Sequence, residues 1–506
     1  MTRLERAGLL AALVLAAGLM LPLHGYLTDD TFIHLQYARH LAEGAGPVFN
    51  PGERVYGCTS PLWMLLLALA IALGGDGLLA AKVLGGVATL ASVVLVFVLA
   101  RRTLRTPALR VAIALTWAAH AWMIRWALSG METPLATALV LAGFVALTVP
   151  GRAGTRGSGL AWALAALVRP EAALLVLAWG VRTLAGGGAE APGAWRRARA
   201  LAPAVVVLGA WLVFARAYYG SFVPHTLSAK AAGSTGLAAI PDNARRIAEI
   251  VGVADGVLVL LLVASLAAGA RARAEALAGP RLLAWIWVVG LPVLYLARGV
   301  PVISRYLVPV SAVAGWLAWW AAEAWWLGAR ETPHAVRRAA SLAVLVTALA
   351  LAQNLVAWRL VVAPQVASFT RGLEQSLIPI GRWLDAHAPA DAAVATPDIG
   401  AIGYYARRRV IDLGGLVTPR MVPLLEQAPF DDVLARFAFA DFARPDYVLD
   451  RGGPAGDLLR RSPYRAALAA VDTAAVPNLG VAHPGRVVYT LYHVDWTRMD
   501  AERKRR

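Results

Sequence analysis

Long apolar runs alternate with short polar stretches before residue 360, and their length predicts helices that cross a membrane. A helix needs about 20 predominantly apolar residues to span a bilayer. Two runs are ambiguous, because 61–74 is short and 159–185 contains the interruption Arg169-Pro170-Glu171. The unambiguous runs near this length are 7–23, 78–100, 109–127, 133–149, 199–217, 247–269, 281–297, 305–327 and 337–358.

Basic residues lie mostly between these runs and predict which loops face the cytoplasm, where Lys and Arg are enriched. One arrangement places all the basic clusters on that side. In it, 61–74 does not span, and 159–185 is a hairpin of two short helices with Arg169-Pro170-Glu171 at its tip. This arrangement predicts about eleven spans, with the N-terminus in the cytoplasm and the C-terminus outside. We interpret 7–23 as a retained first span, because no small-residue cleavage site follows it.

The pattern changes after residue 360, where shorter polar segments bounded by proline replace the apolar runs. A helix-like run at 371–388 is followed by strand-like runs near 392–396, 409–412, 446–449 and 486–492. The sequence therefore predicts a polytopic α-helical membrane domain at 1–359, whose first outer loop is 24–77. It also predicts an extracytoplasmic α/β domain at 360–506.

Composition supports the membrane assignment and changes the meaning of the charge. Hydrophobic residues make up 59% of the 506 residues and charged residues only 16%, which excludes a disordered chain and disfavours a soluble enzyme. The formal charge of +17 is explained by cytoplasmic arginines, so no nucleic-acid partner is predicted. The single cysteine, Cys58, excludes an internal disulfide. No metal-ligand motif is present in the sequence, and a divalent cation is left open.

The first outer loop carries two adjacent carboxylates, Asp29 and Asp30, at the exit of the first span. A carboxylate at the membrane surface can accept the proton of an attacking hydroxyl. The alternative is a solvated pair of acids at a helix end.

Three charged residues, Glu132, Arg169 and Glu171, lie at the ends or interruptions of apolar runs. Charged groups at membrane depth are costly and are usually functional or paired. Glu132 is a candidate ligand of the substrate or a helix cap. Arg169 and Glu171 are candidate ligands or partners of each other.

Cationic residues follow on later outer loops. His225 and Lys230 lie beside apolar sequence, and Arg305 with Tyr306 lies near the next outer turn. Lys, His and Arg in such a place suit a lipid-linked phosphate. The alternatives are interfacial snorkelling of Lys230 and Arg305 and a satisfied surface histidine at 225.

These segments resemble the GT-C-fold membrane glycosyltransferases. The most similar group is the bacterial terminal arabinofuranosyltransferases, and lipid A aminoarabinose transferases and protein O-mannosyltransferases are more loosely similar. The resemblance is densest in the first outer loop. It rests on Asp29-Asp30-Thr31-Phe32-Ile33, Val48-Phe49-Asn50-Pro51-Gly52-Glu53, Thr59-Ser60-Pro61-Leu62-Trp63, Gly130-Met131-Glu132-Thr133-Pro134, Arg169-Pro170-Glu171, Pro224-His225-Thr226 through Lys230, and Asp398-Ile399-Gly400-Ala401-Ile402-Gly403-Tyr404.

The resemblance implies transfer of a sugar, with a pentose such as arabinofuranose favoured, from a polyprenyl-phosphate donor. The acceptor is a glycan, lipid or protein outside a bacterial inner membrane. Either Asp29 or Asp30 is then the expected catalytic base. The expected donor and substrate ligands are Glu132, Arg169, Glu171, His225, Lys230, Arg305 and Tyr306.

Alternatives remain at this stage. Within the same fold, the sugar could be mannose or aminoarabinose. From a different class, a flippase or transporter of lipid-linked sugars would require polar residues along a path through the membrane, where the main candidates are Asp255 and Glu323. A structural scaffold leaves the charges of the outer loops without a purpose.

Overall fold

Two units, each assembled from three chain segments, make up the protein in the computed structural model. The first comprises Met1–His24, Ala81–Leu212 and Gly236–Pro364, and the second Gly25–Ala80, Val213–Thr235 and Gln365–Arg506. Lys230 lies outside the described residues. The structure describes residues 1–185, 193–226, 236–299, 301–328, 332–452, 457–477 and 486–505.

Six helices in the described ranges are long and apolar enough to cross a membrane. They are Arg3–Leu23, Gly77–Thr103, Ala202–Tyr219, Arg281–Arg298, Ser304–Leu327 and the helical stretch Pro333–His387. Two bent pairs would raise the number to eight, namely Pro107–Ala118 with Ala121–Ala127, and Ile240–Ala254 with Gly256–Ala268. These helices fall on predicted apolar runs and indicate a multi-pass membrane protein. The sequence-based number of about eleven spans stays a prediction.

Shorter helices account for the remaining apolar runs and for two basic segments between the long helices. Pro170 opens a 3-10 turn, Pro170–Ala172, at the predicted break in 159–185. Proline lacks an N–H and clashes with the preceding turn, so a helix ends ahead of it. The shorter helices are Pro61–Ala72, Thr133–Leu147, Gly151–Val168, Ala173–Ala185, Ala194–Ala200 and Ala270–Glu275.

The two bent pairs break at residues that form one buried hydrogen-bonded group. The bends are 54° after Ala118 and 95° after Ala254. His120 accepts the Met123 amide through Nδ1, at 3.3 Å, so its Nε2 carries the proton and donates to Asp255, at 3.1 Å. The second oxygen of Asp255 accepts from the Ser311 hydroxyl at 2.9 Å. Both breaks therefore meet at one polar contact inside the first unit.

Asn354, on helix Pro333–Ala357, satisfies backbone groups that both breaks release. Its Oδ1 accepts from the amide of Ala121 at 2.8 Å, and its Nδ2 donates to the carbonyl of Ala254 at 2.9 Å. Helix breaks at membrane depth are tolerated only where other groups satisfy the freed backbone. The buried Asn354 side chain supplies that compensation.

The second unit contains a five-stranded mixed sheet in the order β2-β1-β3-β5-β4. β1 is parallel to β2 and to β3, whereas β5 is antiparallel to β3 and to β4. The strands are β1 (Ala393–Thr396), β2 (Arg409–Asp412), β3 (Tyr447–Gly452), β4 (Leu468–Pro477) and β5 (Arg486–Val494). The helices of this unit after residue 360 are Ala363–Gln375, which begins in the first unit, and Leu377–His387, Gly400–Ala406, Val422–Gln427, Phe430–Ala435, Leu458–Arg461 and Trp496–Arg505.

Four strands occupy the predicted strand-like runs, and β4 was missed. Four of its ten residues are alanine, and it also contains Asp472 and ends at Pro477. These residue types, which are depleted in strands, outnumber its β-branched residues Val471, Thr473 and Val476. Its pairing with β5 over nearly its whole length places it in the sheet. The predicted helix 371–388 is divided between Ala363–Gln375 and Leu377–His387.

The predicted first outer loop contacts strand β2 and the helix Gly400–Ala406 within the second unit. The Asn50 side chain accepts from the Val410 amide at 3.0 Å and donates to the Val410 carbonyl at 2.8 Å, so it extends the edge strand β2. Phe32, on helix Asp29–Ala42, lies 5.6 and 5.3 Å from the rings of Tyr404 and Tyr405. Arg39 donates to the Tyr404 carbonyl at 2.9 Å.

We expect Asn354→Leu to destabilise the protein strongly. The leucine keeps the volume but leaves the Ala121 amide and the Ala254 carbonyl without partners, at a cost of about 1–3 kcal/mol for each group. Thermal unfolding in detergent measures the effect. Leu355→Ala, at a neighbouring exposed position, is the control, and equal melting temperatures for the two variants would contradict the role of Asn354.

Candidate functional site

Asp29 anchors the first outer loop to the helix Gly400–Ala406. Its two carboxylate oxygens accept hydrogen bonds from the amides of Gly400, at 2.9 Å, and Ala401, at 2.8 Å. These amides are among those that a helix N-terminus leaves unsatisfied. A Cβ on Gly400 would lie 1.9 Å from the Asp29 carbonyl oxygen, so this close approach requires glycine.

The surroundings of Asp29 adjust its charge as well as its position. Burial raises the pKa of Asp29 to about 7, and the negative charges of Asp398 and then Asp30 add to the rise, while the Ala401 and Gly400 amides oppose it. A carboxyl group with a pKa near neutrality is suited to general base catalysis at neutral pH. Asp29 thus combines a fixed orientation with a proton affinity that suits a general base at neutral pH.

Asp398 is held by residues from two neighbouring strands. Nη1 of Arg451 donates to both of its carboxylate oxygens, at 3.1 and 3.2 Å. The Tyr489 hydroxyl donates to Oδ2 at 2.8 Å. Arg451 on β3 and Tyr489 on β5 are direct cross-strand partners. Asp398 lies in one of the motifs that carry the family resemblance but had no predicted role. Arg451 and Tyr489 were not predicted, because their common position depends on the sheet register.

In the first unit, Arg169 forms a buried ionic cluster with two carboxylates. Its Nη1 lies 2.8 Å from Oε1 of Glu132, and its Nη2 lies 2.8 Å from Oε1 of Glu171. The Tyr295 hydroxyl donates to the same oxygen of Glu171 at 2.9 Å. The structure therefore brings together the three charged residues that the sequence singled out. Tyr295 was missed because it lies on an apolar span without a local signal.

Aromatic rings and a second arginine extend this cluster. The Arg169 guanidinium lies 4.9 Å from the centre of the Tyr306 ring, which stacks on Tyr295 at 5.4 Å. Arg305 lies 5.5 Å from the same Tyr306 ring and 5.7 Å from the Trp126 ring. Such contacts between cations and aromatic faces are favourable, more so when they are desolvated.

A small pocket, with room for about one water molecule, lies beside this cluster. Its wall includes Arg169, Glu171, Tyr295 and Tyr306 together with apolar side chains. Oε2 of Glu171 is buried there without a hydrogen-bond partner among the described residues. Buried carboxylate oxygens are normally satisfied, so this oxygen is positioned to accept from a ligand hydroxyl.

The chain is similar to several solved structures over most of its length. ArnT from Cupriavidus metallidurans, bound to undecaprenyl phosphate, is 14% identical with a TM-score of 0.55, covering 96% of this chain and 97% of that one. The Archaeoglobus fulgidus oligosaccharyltransferase gives 12% identity and a TM-score of 0.57, covering 88% and 68%. The arabinofuranosyltransferase AftD from mycobacteria gives 16% and 0.53, with 97% of this chain matching 42% of that one.

This chain has the GT-C fold. These membrane glycosyltransferases share the fold. At such low sequence identity, the similarity shows the fold alone. Residues 366–496 match a family described as a domain of unknown function, DUF8728. None of the curated protein sequences matches the chain.

Of the predicted phosphate ligands His225 and Lys230, the structure describes His225. His225 belongs to the second unit, where its backbone amide donates to the Tyr56 carbonyl at 2.8 Å. Its ring Nδ1 is buried without a hydrogen-bond partner in the described part of the chain. Within the described ranges, no group of three or more His, Cys, Asp or Glu residues is arranged to hold a metal ion.

The raised pKa of Asp29 predicts a particular dependence of stability on pH. The folded state holds this proton more tightly than the unfolded chain, whose carboxyl has its ordinary pKa near 3.8. The contribution of Asp29 to the free energy of unfolding therefore decreases as the pH rises from about 4 to about 7. The melting temperature of the wild type should exceed that of Asp29→Asn by more at pH ~5 than at pH ~8. A difference that grows with pH would show that the folded-state pKa is not raised.

Proposed function

We propose that this protein transfers a sugar from a polyprenyl-phosphate donor to an acceptor outside the cytoplasmic membrane. The observation that carries the proposal is the GT-C fold over nearly the whole chain, shared with an ArnT structure that holds undecaprenyl phosphate. The cluster of Glu132, Arg169 and Glu171 adds a buried polar site with apolar side chains around it. Charged groups at membrane depth are costly and are usually functional or paired.

The ionic cluster suits the sugar of the donor. Glu132 and Glu171 supply carboxylate oxygens that accept hydrogen bonds, so this part of the cluster suits the hydroxyl groups of a sugar better than a phosphate. The buried Oε2 of Glu171 accepts one such hydroxyl, and Tyr295 and Tyr306 line the pocket beside it. Arg169 orients the two carboxylates.

Cationic residues suit the donor phosphate. Arg305 supplies a positive charge beside the Tyr306 ring, and we assign His225 and Lys230 to the same task from their sequence positions. The bond between the sugar and the phosphate breaks during transfer, and the leaving phosphate gains charge. Positioned cations stabilise that charge in the transition state.

Asp29 is the favoured base of the carboxylate pair. It accepts the proton of the acceptor hydroxyl as the new glycosidic bond forms. Its two hydrogen bonds to backbone amides orient the carboxylate, and its pKa near 7 matches the task. Asp30 contributes negative charge beside it.

In more detail, we propose that the protein is a bacterial enzyme of the inner membrane and that it transfers a pentose such as arabinofuranose. The resemblance of the first outer loop to arabinofuranosyltransferases supports this choice. Mannose and aminoarabinose are the competing sugars. Movement of the lipid-linked sugar without transfer is the competing activity.

The first test supplies purified protein with polyprenyl-phosphate pentose or hexose donors and a glycan acceptor. We expect transfer from the pentose donor, and Asp29→Asn is expected to lower the rate by about 10²–10⁴-fold, the usual contribution of a general base. Asp30→Asn is the matched control and should retain more activity. Full activity of Asp29→Asn would refute the base assignment, whereas lipid movement in vesicles without any transfer would favour a transporter.

A second test addresses the sugar site. Glu171→Gln keeps the size of the side chain but replaces an acceptor oxygen with a donor and removes one charge, so the donor KM should rise about tenfold, as for one lost hydrogen bond to a charged group. Steady-state kinetics with the lipid-linked donor measure it. Glu249→Gln is the control, since Glu249 forms an exposed ion pair with Arg245; equal kinetics for both variants would remove Glu171 from the site.

A further inference from the structure

The C-terminal segment carries a polar cluster whose members come from three parts of the chain. Asp398 follows β1, Arg451 lies on β3 and Tyr489 on β5. Arg451 contacts both oxygens of Asp398 and Tyr489 contacts one of them, at the distances given above. Tyr489 is fully buried, whereas the side chains of Arg451 and Asp398 are each 23% exposed. The cluster is therefore a fixed group at the edge of the unit's interior.

This cluster is linked to Asp29 through a short piece of backbone. Asp398 lies two residues before Gly400, whose amide, with that of Ala401, holds the Asp29 carboxylate. The Thr396 side chain also fixes the turn, because its hydroxyl accepts from the Asp398 amide at 3.2 Å and donates to the Asp398 carbonyl at 3.1 Å. Any movement of Asp398 would thus move the amides that orient Asp29.

The cluster also acts on Asp29 through charge. Asp398 raises the pKa of Asp29, and the charge of Asp29 contributes in turn to the raised pKa of Tyr489. The charged and titratable groups that act here are Asp30 from the helix of Asp29, Asp398 from the turn after β1, and Arg451 and Tyr489 from the sheet. Arg451 supplies the positive charge among them and partly neutralises Asp398.

We propose that Arg451 and Tyr489 are positioning residues for the transfer reaction and act through Asp398 on the carboxylate of Asp29. The inference rests on the proposed function, with Asp29 as the base. It gives the stretch that matches the domain of unknown function a part in the chemistry: this stretch holds and adjusts the base, which the first outer loop supplies.

Substitutions in a purely structural ion pair should have different effects from substitutions in a cluster that positions the base. The chain offers a matched pair for comparison, because Asp450 precedes Arg451 on β3 and therefore points to the opposite face of the sheet. There Asp450 pairs with Arg461 at 2.6 Å. Loss of Arg461 should lower stability without any effect on Asp29, whereas loss of Arg451 should also change how Asp29 titrates.

The test is the pH dependence of the transfer rate at saturating donor, measured for the full-length protein in detergent. Asp398→Asn removes a negative charge beside Asp29, so the acid limb of the profile should move to lower pH. Arg451→Gln leaves Asp398 less neutralised, so the limb should move to higher pH. A charge change at this range is expected to move the midpoint by about half to one pH unit in each direction.

Two further variants and one control keep the test decisive if Arg451→Gln folds poorly. Tyr489→Phe removes one hydrogen bond to Asp398 and should move the limb in the same direction as Arg451→Gln, by less. Arg451→Lys keeps the charge and should restore the wild-type midpoint. Arg461→Gln should leave the midpoint unchanged while lowering the melting temperature.

The outcomes separate the inference from the proposed function. Opposite movements of the midpoint in Asp398→Asn and Arg451→Gln support the positioning role. Transfer with an unmoved midpoint in both variants overturns the inference and leaves the proposed function in place. A wild-type protein that transfers no sugar from any lipid-linked donor overturns both.

Discussion

Polar groups that are removed from water must find partners inside the protein, and this constraint governs the first unit. Its long apolar helices include two breaks, and each break frees backbone groups that the hydrocarbon of a bilayer cannot satisfy. Asn354 satisfies groups at both breaks, and the hydrogen bond of His120 to Asp255 joins them. The bends are therefore fixed features of the fold. They also account for Asp255, which is a structural partner in this arrangement.

The same constraint separates structural charges from candidate functional ones. Glu323, near the C-terminal end of the helix Ser304–Leu327, is buried and accepts hydrogen bonds from the amides of Arg105 and Thr106. Both it and Asp255 are thus engaged by the protein, which leaves the transporter alternative without a specific observation in its favour. The cluster around Arg169 differs, because two carboxylates surround one guanidinium and an oxygen of Glu171 is left over. A structural pair would require only one carboxylate.

Sequence reasoning located what depends on local patterns and missed what depends on distant contacts. Apolar length gave the positions of the long helices, and Pro170 gave the break at 170 because its effect on a helix is local. The bends at His120 and Asp255 were missed, since their partner Asn354 lies far along the chain. Strand β4 was missed because alanine carries no strand signal, and only its pairing with β5 places it.

The candidate site also combines residues that local sequence predicts with residues that only distant contacts bring together. Asp29 and Glu171 were predicted as site residues because a charge next to an apolar run is visible in sequence, but the residues that hold Asp398 were not. Arg451 and Tyr489 meet only because the sheet register sets them opposite each other. This arrangement also bears on the role of the C-terminal segment. Two backbone amides donate to the Asp29 carboxylate, and an arginine holds the turn that carries them. These contacts fix the orientation of the carboxylate, which apolar packing alone would not do.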